Sequence, residues 1–259
     1  MPPQARVENP CYENMKIWIS ETPEDLGRRA ASQAAFLLRE ALAAKERATI
    51  VVATGASQFS MYEALVTEPE IDWSRVEIFH LDEYVGLPAT HPASFRRYLQ
   101  ERFLDRLPAK PVAFHPINAE TDPEAECRRL SDLIRGKAID LLLAGIGENG
   151  HLAFNDPPAD FETTAPYHVV NLDDDCRRQQ IGEGWFKKLS QVPKQAISMS
   201  VGQIIKAAAI VCSVPDERKA EAVAAAIEGP VTPEVPASIL QEHPNVALFL
   251  DRLSAAELA

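Results

Sequence analysis

The chain has little to tie it to a membrane, a disulfide framework or a nucleic acid. No apolar run approaches the ~20 residues that span a bilayer. The first residues, MPPQARVENPCYENM, lack the basic-then-apolar order of a secretory signal, so a cytoplasmic location is expected. Four cysteines, Cys11, Cys127, Cys176 and Cys212, are scattered without CxxC or His-pair spacing, which argues against both a zinc site and disulfides. Basic residues are the minority, 26 Lys and Arg against 38 Asp and Glu, for a net charge of -12. That balance disfavours non-specific binding to nucleic acid or to an anionic membrane. Internal repeats, low-complexity tracts and flexible linkers are lacking too.

What is present fits an ordinary globular protein, 46% hydrophobic and 25% charged over 259 residues. That length sustains one α/β domain with its own core. Residues 1–14 show little periodicity and read as an arm packing on the domain or on a second subunit, which leaves a homo-oligomer open; residues 15–259 read as a single domain. Runs of β-branched and apolar residues predict strands at 16–20, 49–53, 76–81, 139–144, 168–172, 196–201, 208–214 and 245–251. Between them, helical spacing and caps predict helices, as where Thr22-Pro23-Glu24-Asp25 precedes Leu26, Ala30, Ala34, Leu37, Leu38 and Leu42 on one face. Others are expected over 59–66, 93–107, 123–136, 174–188 and from Lys219 through Ala226. This alternation implies βαβ units and a three-layer, Rossmann-like α/β domain with a mostly parallel central sheet flanked by helices.

The stretch that carries most chemistry is GIGENGHLAFND, Gly145 to Asp156, at the end of the apolar run Ile139 to Ala144. Gly145, Gly147 and Gly150 let backbone amides approach a ligand. Glu148, Asn149, His151 and Asp156 have the composition of a general acid/base centre, an imidazole with carboxylates and an amide to fix its tautomer. In open parallel sheets, ligands bind beyond the carboxyl ends of the strands. Three further clusters are expected there. Thr54-Gly55-Ala56-Ser57 joins a strand to a helix N-terminus and suits an anion. Asp82-Glu83 follows another strand as an exposed carboxylate pair, and Arg218-Lys219 opens a helix after a third. An anion cradle, carboxylates and a histidine in one crevice suit proton transfer on a sugar phosphate.

LDEYVGLP with HPASF (Leu81 to Pro88, His91 to Phe95), GIGENGHLAFNDP (Gly145 to Pro157) and QVPKQAI (Gln191 to Ile197) resemble the glucosamine-6-phosphate deaminase family, also called isomerases. The resemblance runs from about Lys16 to Asp251. The wider superfamily includes 6-phosphogluconolactonases and sugar-phosphate sensors, and DEYVG favours the deaminase branch. The resemblance implies a reaction without metal or organic cofactor on an amino-sugar phosphate: ring opening, proton transfer from C2 to C1, and release of ammonia to leave fructose 6-phosphate. Asp82 would move the C2 proton and His151 would act on the ring oxygen. Lys219 and the backbone of Gly55 to Ser57 would hold the phosphate, with Thr54, Glu83 and Gly147 also facing the substrate.

The pattern departs from the family at several places. Asn149 stands where Asp is usual, so Glu148 becomes a candidate for the negative charge behind His151; Asp156 stands where Glu is usual. The family's phosphate-binding arginine falls near Gly182-Glu183, leaving Arg177 or Arg178 as replacements. Ala159-Asp160 replaces the serine pair that binds an acetylated sugar-phosphate activator, so no such activation is expected. The alternatives are a lactonase using His151 as base on a water, and a non-catalytic sensor.

Overall fold

The structure is a computed structural model that describes residues 15–259; the expected arm and Cys11 lie outside the described residues. The elements in chain order are β1 (Met15–Ser20), α1 (Pro23–Ala44), β2 (Ala48–Val52), α2 (Phe59–Leu65), β3 (Val76–His80), β4 (Asp82–Tyr84), α3 (Phe95–Arg102), β5 (Ala113–His115) and α4 (Pro123–Ile134). There follow β6 (Leu141–Ala144), β7 (Tyr167–Asn171), α5 (Asp174–Gly182), β8 (Gln195–Met199), α6 (Val201–Ile204), β9 (Ile210–Val214), α7 (Ala220–Glu228) and β10 (Val246–Asp251).

Seven strands form a parallel sheet in the order β1-β10-β9-β6-β2-β3-β5. Its residues alternate between two apolar layers, as period-2 side chains must. Ile50 and Val52 of β2, Leu141 and Leu143 of β6, and Ala247 and Phe249 of β10 pack with α1, α2 and α3. Val51, Leu142, Ala144, Leu248 and Leu250 pack on the other face with α4 and α7. Thr22 caps α1 by accepting the Asp25 N–H, and Asp122 caps α4 by accepting from Ala125. No helix of the described residues is long and apolar enough to cross a membrane.

The expected mostly parallel sheet flanked by helices is present, with two corrections. Asp82-Glu83-Tyr84 stands just past the end of β3 but does not belong to the main sheet. It forms β4 of a separate antiparallel sheet, ordered β4-β8-β7, which also takes the run expected at 196–201. The chain changes sheets at Leu81, whose N–H donates to Val52 O while its carbonyl accepts from Met199 N. The helix expected over 174–188 stops at Gly182, because Gly184 takes a φ of 82° and its N–H returns to Ile181 O.

Candidate active site

The sheet reverses its direction of growth between β2 and β6. From β2 the chain adds β3 and β5 on one side, and from β6 it adds β9 and β10 on the other. Such a switch point leaves a crevice above the carboxyl ends. Here the four neighbouring strands β9, β6, β2 and β3 send their following loops to one cavity. Its walls include Thr54, Gly55 and Ser57 after β2, Asp82 after β3, Gly145, Gly147 and His151 after β6, and Lys219 after β9. About 510 Å³ of atom-free space lies among these residues, open solvent at the mouth included.

The loop after β2 is fixed from below. Gln58, fully buried, donates through Nε2 to Ala144 O at 3.1 Å and Ser213 O at 3.3 Å, tying the cradle to β6 and β9. The Tyr62 and Tyr98 hydroxyls donate to Ala53 O and Gly55 O. With Gly55 at a φ of 106° the chain turns into a 3-10 turn, Ala56–Gln58, and then into α2.

Asp82 and Glu83 part company here. The pair expected to be exposed is buried, 6% and 0% accessible, and as consecutive residues of a strand the two point to opposite sides. Asp82 lines the cavity. Burial, with the Glu83 charge beside it, pushes its carboxyl up to about 8. Glu83 faces inward instead, so its expected substrate contact is corrected. It accepts from the N–H groups of Tyr84, Phe95 and Arg96, from Ser94 Oγ, and from Arg96 Nε at 3.3 Å. These bonds bind β4 to the start of α3. Glu83→Ala leaves them without their acceptor, and about 3–5 kcal/mol of stability should be lost, visible as a lower midpoint in denaturant.

The imidazole of His151 lies against Gly147: a Cβ at that position would meet the ring atoms at 2.2 to 2.4 Å. Behind the ring, Nδ1 stands 3.2 Å from Asp156 Oδ1, at ion-pair distance but off hydrogen-bond alignment. Burial would raise the Asp156 carboxyl, yet His151, the Asp173 N–H and Asn149 together hold it below its ordinary value. Asn149 does not reach the ring. Its Oδ1 accepts the His151 N–H and its Nδ2 donates to Asp156 and Asp173, so it holds the carboxylate that faces the imidazole.

Glu148, the candidate charge behind His151, instead turns toward Arg218 Nη1 at 3.3 Å and Lys219 Nζ at 3.9 Å. Arg177 and Arg178 are corrected as well. Arg177 is buried and donates to Leu189 O and Val192 O, and Arg178 pairs with Asp175 on the surface; neither lines the cavity. Ala56 is in the turn but not in the cavity wall, and borders an adjoining cavity.

Gln179 and Gln180 of α5 and Glu183 just beyond its end, none of them expected from the sequence, form another wall of the cavity. Gln179 accepts the Glu148 N–H and donates to Glu183, and Gln180 accepts the Tyr84 hydroxyl. The signal was there: a helix that is polar all round needs polar partners to bury anything. His80, fully buried, is driven down to about 3 by burial and by Arg96, so it stays neutral and is no acid/base group.

Among the described residues, His151, Asp156 and Cys176 bring donor atoms within 4.8 Å of one another. Burial and the Asp156 charge push the Cys176 thiol well up, so a metal there would have to displace its proton. Cys127, Cys176 and Cys212 are free and buried.

The family model described as glucosamine-6-phosphate isomerases/6-phosphogluconolactonase matches residues 21–248. A glucosamine-6-phosphate deaminase of Exiguobacterium sibiricum is 38% identical over 245 residues, covering 95% of this chain and 94% of that protein. One from Bacillus cereus is 36% identical over 238 residues, 92% and 87% of the two chains. The solved structure of a monomeric glucosamine-6-phosphate deaminase superposes with a TM-score of 0.85 at 32% identity, covering 93% of this chain and 99% of that one. A 6-phosphogluconolactonase of Thermotoga maritima shares the fold, with a TM-score of 0.76 at 16% identity. The chain therefore belongs to the glucosamine-6-phosphate isomerase/6-phosphogluconolactonase family.

Proposed function

We propose that this protein is a glucosamine-6-phosphate deaminase, converting glucosamine 6-phosphate and water to fructose 6-phosphate and ammonia. The observation that carries the reading is the shared cavity: a buried carboxylate, Asp82, and an imidazole, His151, open into it together with the Lys219 ammonium. The relatives at 36% to 38% identity named above bear that activity in their names.

His151 passes the proton of the C1 hydroxyl to the ring oxygen as the C1–O5 bond breaks, leaving an open-chain aldehyde. Asp82 takes the proton from C2 while the aldehyde oxygen gains one given up by the C2 ammonium, forming an enolamine, and then returns its proton to C1, which leaves an iminium at C2. Water adds there and ammonia departs, so the carbon skeleton ends as the 2-ketose. A buried carboxylate suits this shuttle, since a raised pKa brings its basicity toward that of the enolamine carbon. The C2 amine of the substrate, as ammonium, favours the ionised carboxylate on binding. Asp156, held by Asn149 and Asp173, faces Nδ1 of His151 and orients the ring. Lys219 and the turn Gly55 to Ser57 receive the phosphate.

Incubation with glucosamine 6-phosphate should release ammonia and ketose in equal amounts. Hydrolysis of 6-phosphogluconolactone without ammonia from the amino sugar would instead assign the lactonase reaction.

A further inference from the structure

Lys219 and Glu183, which line the cavity, belong to a cluster of two cations opposed by three carboxylates. Lys219 is 5% exposed and stands 3.7 Å from Glu183 and 3.9 Å from Glu148. Arg218 stands 3.3 Å from Glu148 and 2.6 Å from Asp216. A phosphate dianion entering here meets a local excess of negative charge, so its affinity depends on which carboxylate yields.

The three are not held alike. Asp216 caps the turn Glu217–Lys219 and accepts both the Arg218 N–H and its guanidinium. Glu183 is 7% exposed, and its oxygens accept from Gln179 Nε2 at 2.7 Å and Trp185 Nε1 at 3.1 Å. Glu148 is 31% exposed, and its Oε1 faces both cations without a well-aligned hydrogen bond. It is the one free to turn out to water. Arg218 passes beside Gly182, its Nη1 3.4 Å from where a Cβ there would stand. Arg218 lines an adjoining cavity that shares the walls Ser57, Glu183 and Lys219 with the first, so the guanidinium lies next to the Lys219 wall.

We propose that Arg218 and Glu148 set specificity at the phosphoryl end of the site: Arg218 closes with Lys219 on the phosphate, and Glu148 is the internal counter-ion that the phosphate displaces. This rests on the reading above that the substrate carries a phosphate. A guanidinium binds phosphate through paired, charge-assisted hydrogen bonds that a lysine does not reproduce. Removing Glu148's charge therefore strengthens anion binding, and removing Arg218 weakens it.

The test is calorimetric titration of the whole protein with inorganic phosphate, alongside KM and kcat for glucosamine 6-phosphate. Arg218→Ala should weaken phosphate and raise KM by about tenfold or more, with kcat within about twofold. Arg218→Lys should fall between it and the parent. Glu148→Gln should bind phosphate about threefold or more tighter, a gain that a merely structural role would not give. Unchanged phosphate affinity in Arg218→Lys and Glu148→Gln, or weaker binding in the latter, overturns the proposal even if Arg218→Ala fails to fold. If phosphate affinity responds as stated but no ammonia is released, the proposal stands and the deaminase reading falls. Ammonia release with KM unchanged in these variants gives the reverse.

Discussion

Asp82→Asn will lower kcat for ammonia release by about a thousandfold or more, while substrate affinity falls far less. The amide keeps the shape of the carboxylate but cannot accept a proton from C2. The same substitution should alter the pH dependence of stability, in a direction that burial fixes. Asp82 is pushed up to about 8, whereas an unfolded aspartate titrates near ~4. Between these values the folded protein keeps a proton that the unfolded chain has released, so this group costs stability as pH rises through the window and favours the fold below it. The amide of the variant carries no such cost, and Asp82→Asn should gain stability over the parent as pH approaches 8. The parent's kcat/KM should climb with pH toward about 8 as the free carboxylate forms. The limb seen in kcat should lie at lower pH, because the substrate's ammonium stabilises the carboxylate in the complex.

Gly147→Ala will cost about a hundredfold in kcat without removing any titrating group. Its methyl would stand 2.2 to 2.4 Å from the imidazole of His151, closer than real contacts allow, so the ring must leave its place. The backbone cannot easily yield, because the Gly147 N–H donates to His151 O and its carbonyl accepts from Gly150. His151→Gln should lose a comparable factor, and the double variant should lose little more than either alone, since both remove one properly placed imidazole. A Gly147→Ala protein with full activity would mean that the ring is not needed where it lies.

The parallel sheet could be read from the chain because its strands are continuous apolar runs bounded by caps and turns, as at Thr49 to Val52 and Leu141 to Ala144. The second sheet could not. An apolar run such as Ala196 to Met199 looks the same in a parallel or an antiparallel setting. Asp82-Glu83-Tyr84 looks like a loop until its partners are known. The three-residue edge strand β5, Ala113–His115, is too short to leave a period.

The site shows the same division. Local glycines and a histidine marked the loop after β6, and strand ends marked the cradle and Asp82. Long-range pairing decided the rest. Whether Asp82 or Glu83 faces the cavity follows from pleat direction in β4, and Glu148's partner is a cation some seventy residues away, Arg218. The wall of Gln179 and Glu183 depends on where α5 ends. Asn149, which looked like a loss of charge beside His151, is a support for Asp156.

In the proposed reaction one buried carboxylate carries hydrogen between adjacent carbons of a sugar whose ring one imidazole has opened. Glucosamine 6-phosphate deuterated at C2 tests it directly, with the product ketose read by mass spectrometry and NMR after brief turnover. Ammonia and a ketose retaining part of the deuterium at C1 are expected, with both lost in Asp82→Asn. Ketose whose C1 hydrogens come wholly from solvent, or ammonia released undiminished by Asp82→Asn, would contradict it.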